Sequence, residues 1–146
     1  MWKFEHAVTT KAKAATIWSL YSDIPTWVLW DSGKERVSLD GPFAVGAHGL
    51  MQPKGKSPLA FEITEIVPLK GFTDVTDLPD AGVQVRFVHV LEPVAEGTRI
   101  THVVTIEGPG ADVVGPQMIQ HFTKGVPHTI ESLAALALER EGQHAG

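Results

Sequence analysis

Three histidines and one glutamate fall where alternation of apolar residues predicts the inside of the protein. In "GVQVRFVHVLEP" the side chains of Val85, Phe87, His89 and Leu91 share one parity, and in "GTRITHVVTIEGP" those of Ile100, His102, Val104 and Ile106 do. Successive strand residues point to opposite faces, so His89 and His102 belong to the apolar faces of two strands joined through "VAEG". A turn near 95–97 sets them opposite or diagonal to one another. His6 holds the equivalent position in "MWKFEHAVTT", with Trp2, Phe4 and Val8. In "LAFEITEIVP" the parity of Phe61, Ile63 and Val67 includes Glu65.

Each of these groups has an ordinary and a chemical reading. Buried histidines can simply be hydrogen-bonded wall residues. They can instead face a hollow and serve as acid, base or ligand to an oxygen, because imidazole titrates near neutrality. Three imidazoles can also hold a catalytic zinc, but helical or loop HxH spacing is missing and no metal is expected. A carboxylate in an apolar hollow has a raised pKa and can exchange a proton, which makes Glu65 a candidate unless a bulge turns it outward. Asp31 is a turn cap or an ion-pair partner. His121 and His128 are seven apart, yet Pro127 spoils their register, so both belong at the surface.

The elements that position these groups follow from the pattern. The first strand lies in "MWKFEHAVTT"; "KAKAATIWSLYSD" predicts a helix over about 13–22, and Pro25 suits the first turn of a second short helix in "IPTWVLW". Trp27 and Trp30 lie on one side of that second helix. About six antiparallel strands follow between residues 34 and 107. Beyond Gly108-Pro109-Gly110 the pattern is helical to about residue 140, with a kink or break near 123–127 at Gly125 and Pro127, and 141–146 reads as a frayed tail. The expected class is α+β, a single domain over 1–146: a curved antiparallel sheet of about seven strands whose apolar face is covered by the long last helix. A bent sheet around one helix leaves room for a hollow. Trp27, Trp30, Met51, Phe61, Phe72, Phe87, Met118 and Phe122 are the candidates to line it, since apolar pockets are walled by such side chains.

Composition narrows the classes of function. A chain of 146 residues buries roughly 70% of its unfolded surface, enough for a core without staples. The absence of cysteine excludes disulfides, thiolate catalysis and thiolate-held metals. A formal charge of -5 without a basic run argues against nucleic acid. No apolar run approaches the ~20 residues of a membrane span, and "MWKFEH" lacks the core of a signal peptide, so a cytoplasmic location is expected. No phosphate-cradling GxxxxGK motif or other cofactor signature is present, and no cofactor is expected.

Several stretches together are familiar. "AKAATIWSLYSDIPTWVLWD" is similar to the helix pair ending in Trp-Asp of the START-like superfamily (SRPBCC, or birch-pollen-allergen-like), in its polyketide cyclase/dehydrase-like branch. "VSLDGPFAVGAHGLM" resembles that family's strand–Gly–strand stretch, and "HVLEPVAEGTRITHVVTIEGP" its last hairpin. The likeness spans roughly residues 2–140. It implies a helix-grip fold, neighbouring first and last strands, and a hollow for lipids, sterols, polyketides or other apolar molecules. The expected activity is therefore binding of a small hydrophobic or amphipathic molecule by a monomer or homodimer. Two alternatives stand beside it: a cyclase or dehydratase using His89 with His102 or Glu65, and an interaction module like the superfamily's chaperone-activator branch.

Overall fold

A computed structural model describes residues 1–144. The chain begins with strand β1 (Trp2–Thr10), then helix α1 (Ala14–Tyr21), a 3-10 turn (Ile24–Thr26) and the single-turn helix α2 (Trp27–Trp30). Six strands follow: β2 (Lys34–Leu39), β3 (His48–Pro53), β4 (Leu59–Val67), β5 (Gly71–Leu78), β6 (Val83–Val94) and β7 (Gly97–Glu107). Helix α3 (Ala111–His144) ends the described chain. The strands form one antiparallel sheet in the order β1-β7-β6-β5-β4-β3-β2. First and last strands are thus neighbours, with His6 opposite His102.

Local chemistry accounts for the short helices. "AATIWSLY" combines good helix formers with Ile17, Leu20 and Tyr21 on its buried face. Lys13 at its N-cap offers no side-chain cap. That role passes to α3: the Lys13 N–H donates to Glu141 Oε2 at 2.6 Å, which holds the Glu141 carboxyl below its ordinary pKa. The bond ties the far end of α3 to the start of α1. Pro25 then sits in the first turn of the 3-10 segment, where its missing N–H costs nothing.

Helix α3 runs without a break through Pro116 and Pro127, contrary to the interruption expected near 123–127. Pro127 removes one backbone bond, but Val126, Ile130, Leu133 and Ala137 are buried on both sides of it, and that packing holds the helix together. The frayed tail expected over 141–146 is helical as far as His144, and the last two residues lie outside the described part. The sheet strands nearest α3 are β1 and β7. The inner faces of β4 and β5 are covered mainly from the other side, where Trp27 packs on Phe61 and Phe72, and Tyr21 packs on Phe72. Gly49 on β3 allows this closeness: a Cβ there would overlap the Ser38 carbonyl and come within 2.7 Å of the Phe61 ring. We expect Gly49→Ala to lower unfolding free energy by about 1–3 kcal/mol through overpacking, measured by urea titration.

Candidate functional site

Sheet register assembles a row of rings across four strands. His6 on β1 faces His102 on β7, which faces His89 on β6, which faces Phe72 on β5. The two-residue turn Ala95-Glu96 fixes the middle pair, since Val94 pairs Gly97 and the register runs unshifted back to residues 89 and 102. His89 and His102 are only 8% and 7% exposed, and their ring centroids lie 4.7 Å apart. The His89 ring stacks on Phe72 at 3.9 Å, nearly parallel, and its Nδ1–H donates to the Phe72 carbonyl at 3.1 Å.

Tyr21 closes the row from above. This residue of α1 is fully buried, and its hydroxyl lies 2.8 Å from His102 Nε2. Its ring meets Phe72, His89 and Trp30 edge-on at 5.0–5.8 Å. Burial raises the phenol's pKa well above the usual tyrosine value. Burial, helped by the charges of His89, Lys34 and His6, lowers that of His102 well below the usual histidine value. Both groups are neutral, and the better acid donates, so the hydroxyl is the donor and Nε2 the acceptor. Burial likewise lowers the His89 pKa to about 3, against a partial upward effect of its bond to Phe72. The apolar placing of all three histidines follows the sequence parity. Among the described residues no group of three His, Cys, Asp or Glu could hold a metal ion.

Glu65 is a correction. A bulge between Ile63 and Glu65 shifts the register of β4 on β5, and Glu65 emerges exposed while Ile66 packs on the core. The buried carboxyl of this sheet belongs to Asp74 on β5 instead. It is 7% exposed, lies opposite Ile63 and Phe87, and shares a face with Phe72 and Thr76. Burial drives its pKa up from 3.8 to about 7, with Lys34 lowering it and Asp31 raising it through charge. Lys34 and Asp31 form a half-buried ion pair where α2 meets β2. Among the described residues no hydrogen bond to the Asp74 carboxyl is formed, and the Thr76 hydroxyl is also buried without a partner.

Other expected site residues divide into two groups. Trp27, Trp30, Phe61 and Phe72 are buried core. The Trp27 indole N–H donates to the Tyr21 carbonyl at 2.9 Å, which fastens α2 to α1, and that of Trp30 to Thr26 Oγ1 at 3.3 Å, which ties α2 to the 3-10 turn. Met51, Phe87, Met118 and Phe122 are half-buried. Phe87 meets Phe122 edge-on at 5.5 Å, with Met118 in the same cluster. His121 and His128 are exposed on α3. Tyr21 and Asp74 escaped the sequence reading. Tyr21 carried a signal as the chain's one tyrosine on the buried stripe of α1; Asp74 carried one in sharing parity with Phe72.

A curved seven-stranded antiparallel sheet around a long C-terminal helix, with two short helices after strand one, defines a START-like, birch-pollen-allergen-like protein. The chain belongs to the family described as "Polyketide cyclase / dehydrase and lipid transport", which it matches over residues 1–138. Solved structures agree on the fold. A Mesorhizobium loti protein is 16% identical with a TM-score of 0.76, covering 94% of this chain and 97% of its own. Ara h 8.0201 is 14% identical with a TM-score of 0.74, covering 94% and 97%. Norcoclaurine synthase from Thalictrum flavum, in complex with dopamine and hydroxybenzaldehyde, is 16% identical with a TM-score of 0.74, covering 94% and 86%. No curated protein matches the chain. No helix among the described residues is long and apolar enough to cross a membrane.

Two predictions follow from the buried groups. The folded pKa of Asp74 exceeds its unfolded value, so the folded protein binds the extra proton between about pH 4 and 7 and loses stability as pH rises through that window. Asp74→Asn should abolish this fall and raise unfolding free energy at pH 8 by up to roughly 4 kcal/mol, read from urea midpoints at pH 5 and 8. Tyr21→Phe leaves the His102 nitrogen without its donor. In a double-mutant cycle with His102→Val, a coupling of about 1–2 kcal/mol is expected, and independent effects would refute the bond.

Proposed function

We propose that the protein binds a small hydrophobic or amphipathic molecule between the sheet and α3. One observation carries the reading: several side chains that face inward are nevertheless reached by solvent. Phe87 on β6, Met51 on β3, and Met118 and Phe122 on α3 are half-buried although their strand parity or helix stripe turns them toward the interior. Phe87, Met118 and Phe122 lie in one cluster with Val85, Val104 and Val126, and Met51 packs on the cluster around Tyr21. Apolar surface with a few polar groups is the usual lining of a small-molecule site. Membership of a family whose description includes lipid transport supports the same reading. The closely packed ring cluster around Tyr21 forms the floor of such a site, and Asp74 supplies polarity to its wall.

A cyclase or dehydratase activity would draw its proton transfers from Asp74, which titrates near neutrality, rather than from Glu65. His89 and His102 each have one ring nitrogen engaged by the protein and are held neutral, which suits them to a wall. Binding is the reading tested first. Native mass spectrometry of the protein purified from its own host should show a non-covalent small-molecule adduct that leaves on collisional activation. Phe87→Asp should lose the adduct while remaining folded. A wild-type protein that carries none, and also fails to take up an apolar fluorescent dye, would refute the proposal.

A further inference from the structure

We propose that Asp74 and Thr76 form an ammonium-binding subsite, so that the molecule held in the grip is an apolar primary amine. The inference rests on the binding reading above and adds the chemistry of the ligand's polar end. Asp74 and Thr76 stand two residues apart on one face of β5, and both side chains are more than nine-tenths buried. Neither has a hydrogen-bond partner among the described residues. Buried polar atoms are normally paired, and a bare buried hydroxyl next to a carboxyl that keeps only a trace of exposure needs a reason. The neighbours across the ladder supply no donor: Ile63 and Phe87 flank Asp74, while Phe61 and Val85 flank Thr76.

A primary ammonium answers this arrangement better than the alternatives. It brings three N–H donors, enough for the carboxylate and the hydroxyl oxygen together, whereas an alcohol brings one. A carboxylate-headed ligand would face Asp74 and Asp31 with Lys34 already paired to Asp31. Charge balance points the same way. Lys34 and Asp31, from the α2–β2 connection, are the charged groups acting on Asp74, and they cancel; an ionised Asp74 then leaves one negative charge for the ligand to neutralise. On the inward faces of β6 and β7 the titratable groups are His89 and His102, both held neutral, while Arg86, Glu92, Arg99 and Glu107 have the outward parity. From α3 the side chains meeting Phe87 are apolar, Met118 and Phe122.

Three probes with one apolar body separate the cases: naphthylethylamine, naphthylethanol and naphthylacetate, titrated by calorimetry. The amine should bind at least about tenfold tighter than the alcohol at pH 8, and the acid weakest. Below pH 7 the bound ammonium must displace the Asp74 proton, so amine affinity should fall about tenfold per unit, with a proton released to buffer. Asp74→Asn should lower amine affinity about tenfold or more at pH 8 and remove the pH slope. Thr76→Val should weaken the amine by a smaller factor. Alcohol binding equal to or tighter than the amine, or an Asp74→Asn protein that keeps the amine's affinity and slope, would overturn the ammonium subsite and spare the binding reading. Failure of all three probes to bind would overturn both.

Discussion

The hydrogen bond from the Tyr21 hydroxyl to His102 Nε2 is the constraint around which the interior is arranged. It is the point where a helix residue meets the sheet's polar row, and it fixes how α1 lies over β6 and β7. Without it an imidazole nitrogen would be buried bare, at a cost of about 1–3 kcal/mol, and the helix would lose its orientation cue. Other contacts inherit that placement. Tyr21 carries edge contacts to Phe72, His89 and Trp30, and its own carbonyl receives the Trp27 indole. The second helix is therefore seated by the first, which is seated by the row. A satisfied network of this kind specifies one arrangement of a core that apolar packing alone would leave slippery.

Asp74 lies beside this network but outside it. His89 and His102 both have partners, and burial keeps them uncharged, so their chemistry is spent on structure. Asp74 has charged neighbours but no hydrogen-bond donor, so its desolvated carboxyl keeps a proton up to near neutral pH. Folded proteins tolerate such a group where it serves binding or chemistry, and its cost to stability is the usual signature of that compromise. The same sheet thus separates two kinds of buried polarity. One kind ties the wall together, and the other has no partner in the protein.

Legibility in the sequence followed the range of the determining interaction. His89, His102 and His6 could be placed inward because a strand has a period of two and the last hairpin turns in two residues, so register is nearly local. Glu65 was misplaced because one extra residue in β4 flips all later side chains, and no motif in "EITEIV" announces the bulge. Asp74 hid for a different reason: "GFTDVTDL" is polar on both faces, and Gly71 to Asp74 are all buried, so alternation gave no contrast. Tyr21 was visible as a buried helix residue, but its partner lies 81 residues away, beyond any periodicity. Pro127 misled because local propensity yields to the packing of the residues around it.

The opposed burial of acids and bases also shapes how the fold meets acid. Burial lowers the folded pKa of His89 to about 3 and that of His102 well below its ordinary value, so both progressively favour unfolding as pH falls below about 6.5. Asp74 has the reverse displacement, and between about pH 7 and 4 its protonation favours the folded state. The windows overlap, so the carboxyl offsets about one imidazole over most of the mildly acidic range, and the second imidazole sets the net slope. Below pH 4 the carboxyl has no further proton to gain, and only the histidine contributions continue. Neutral imidazoles holding the wall and a poorly solvated carboxyl within it therefore act on stability with opposite signs, although burial is the dominant cause of both.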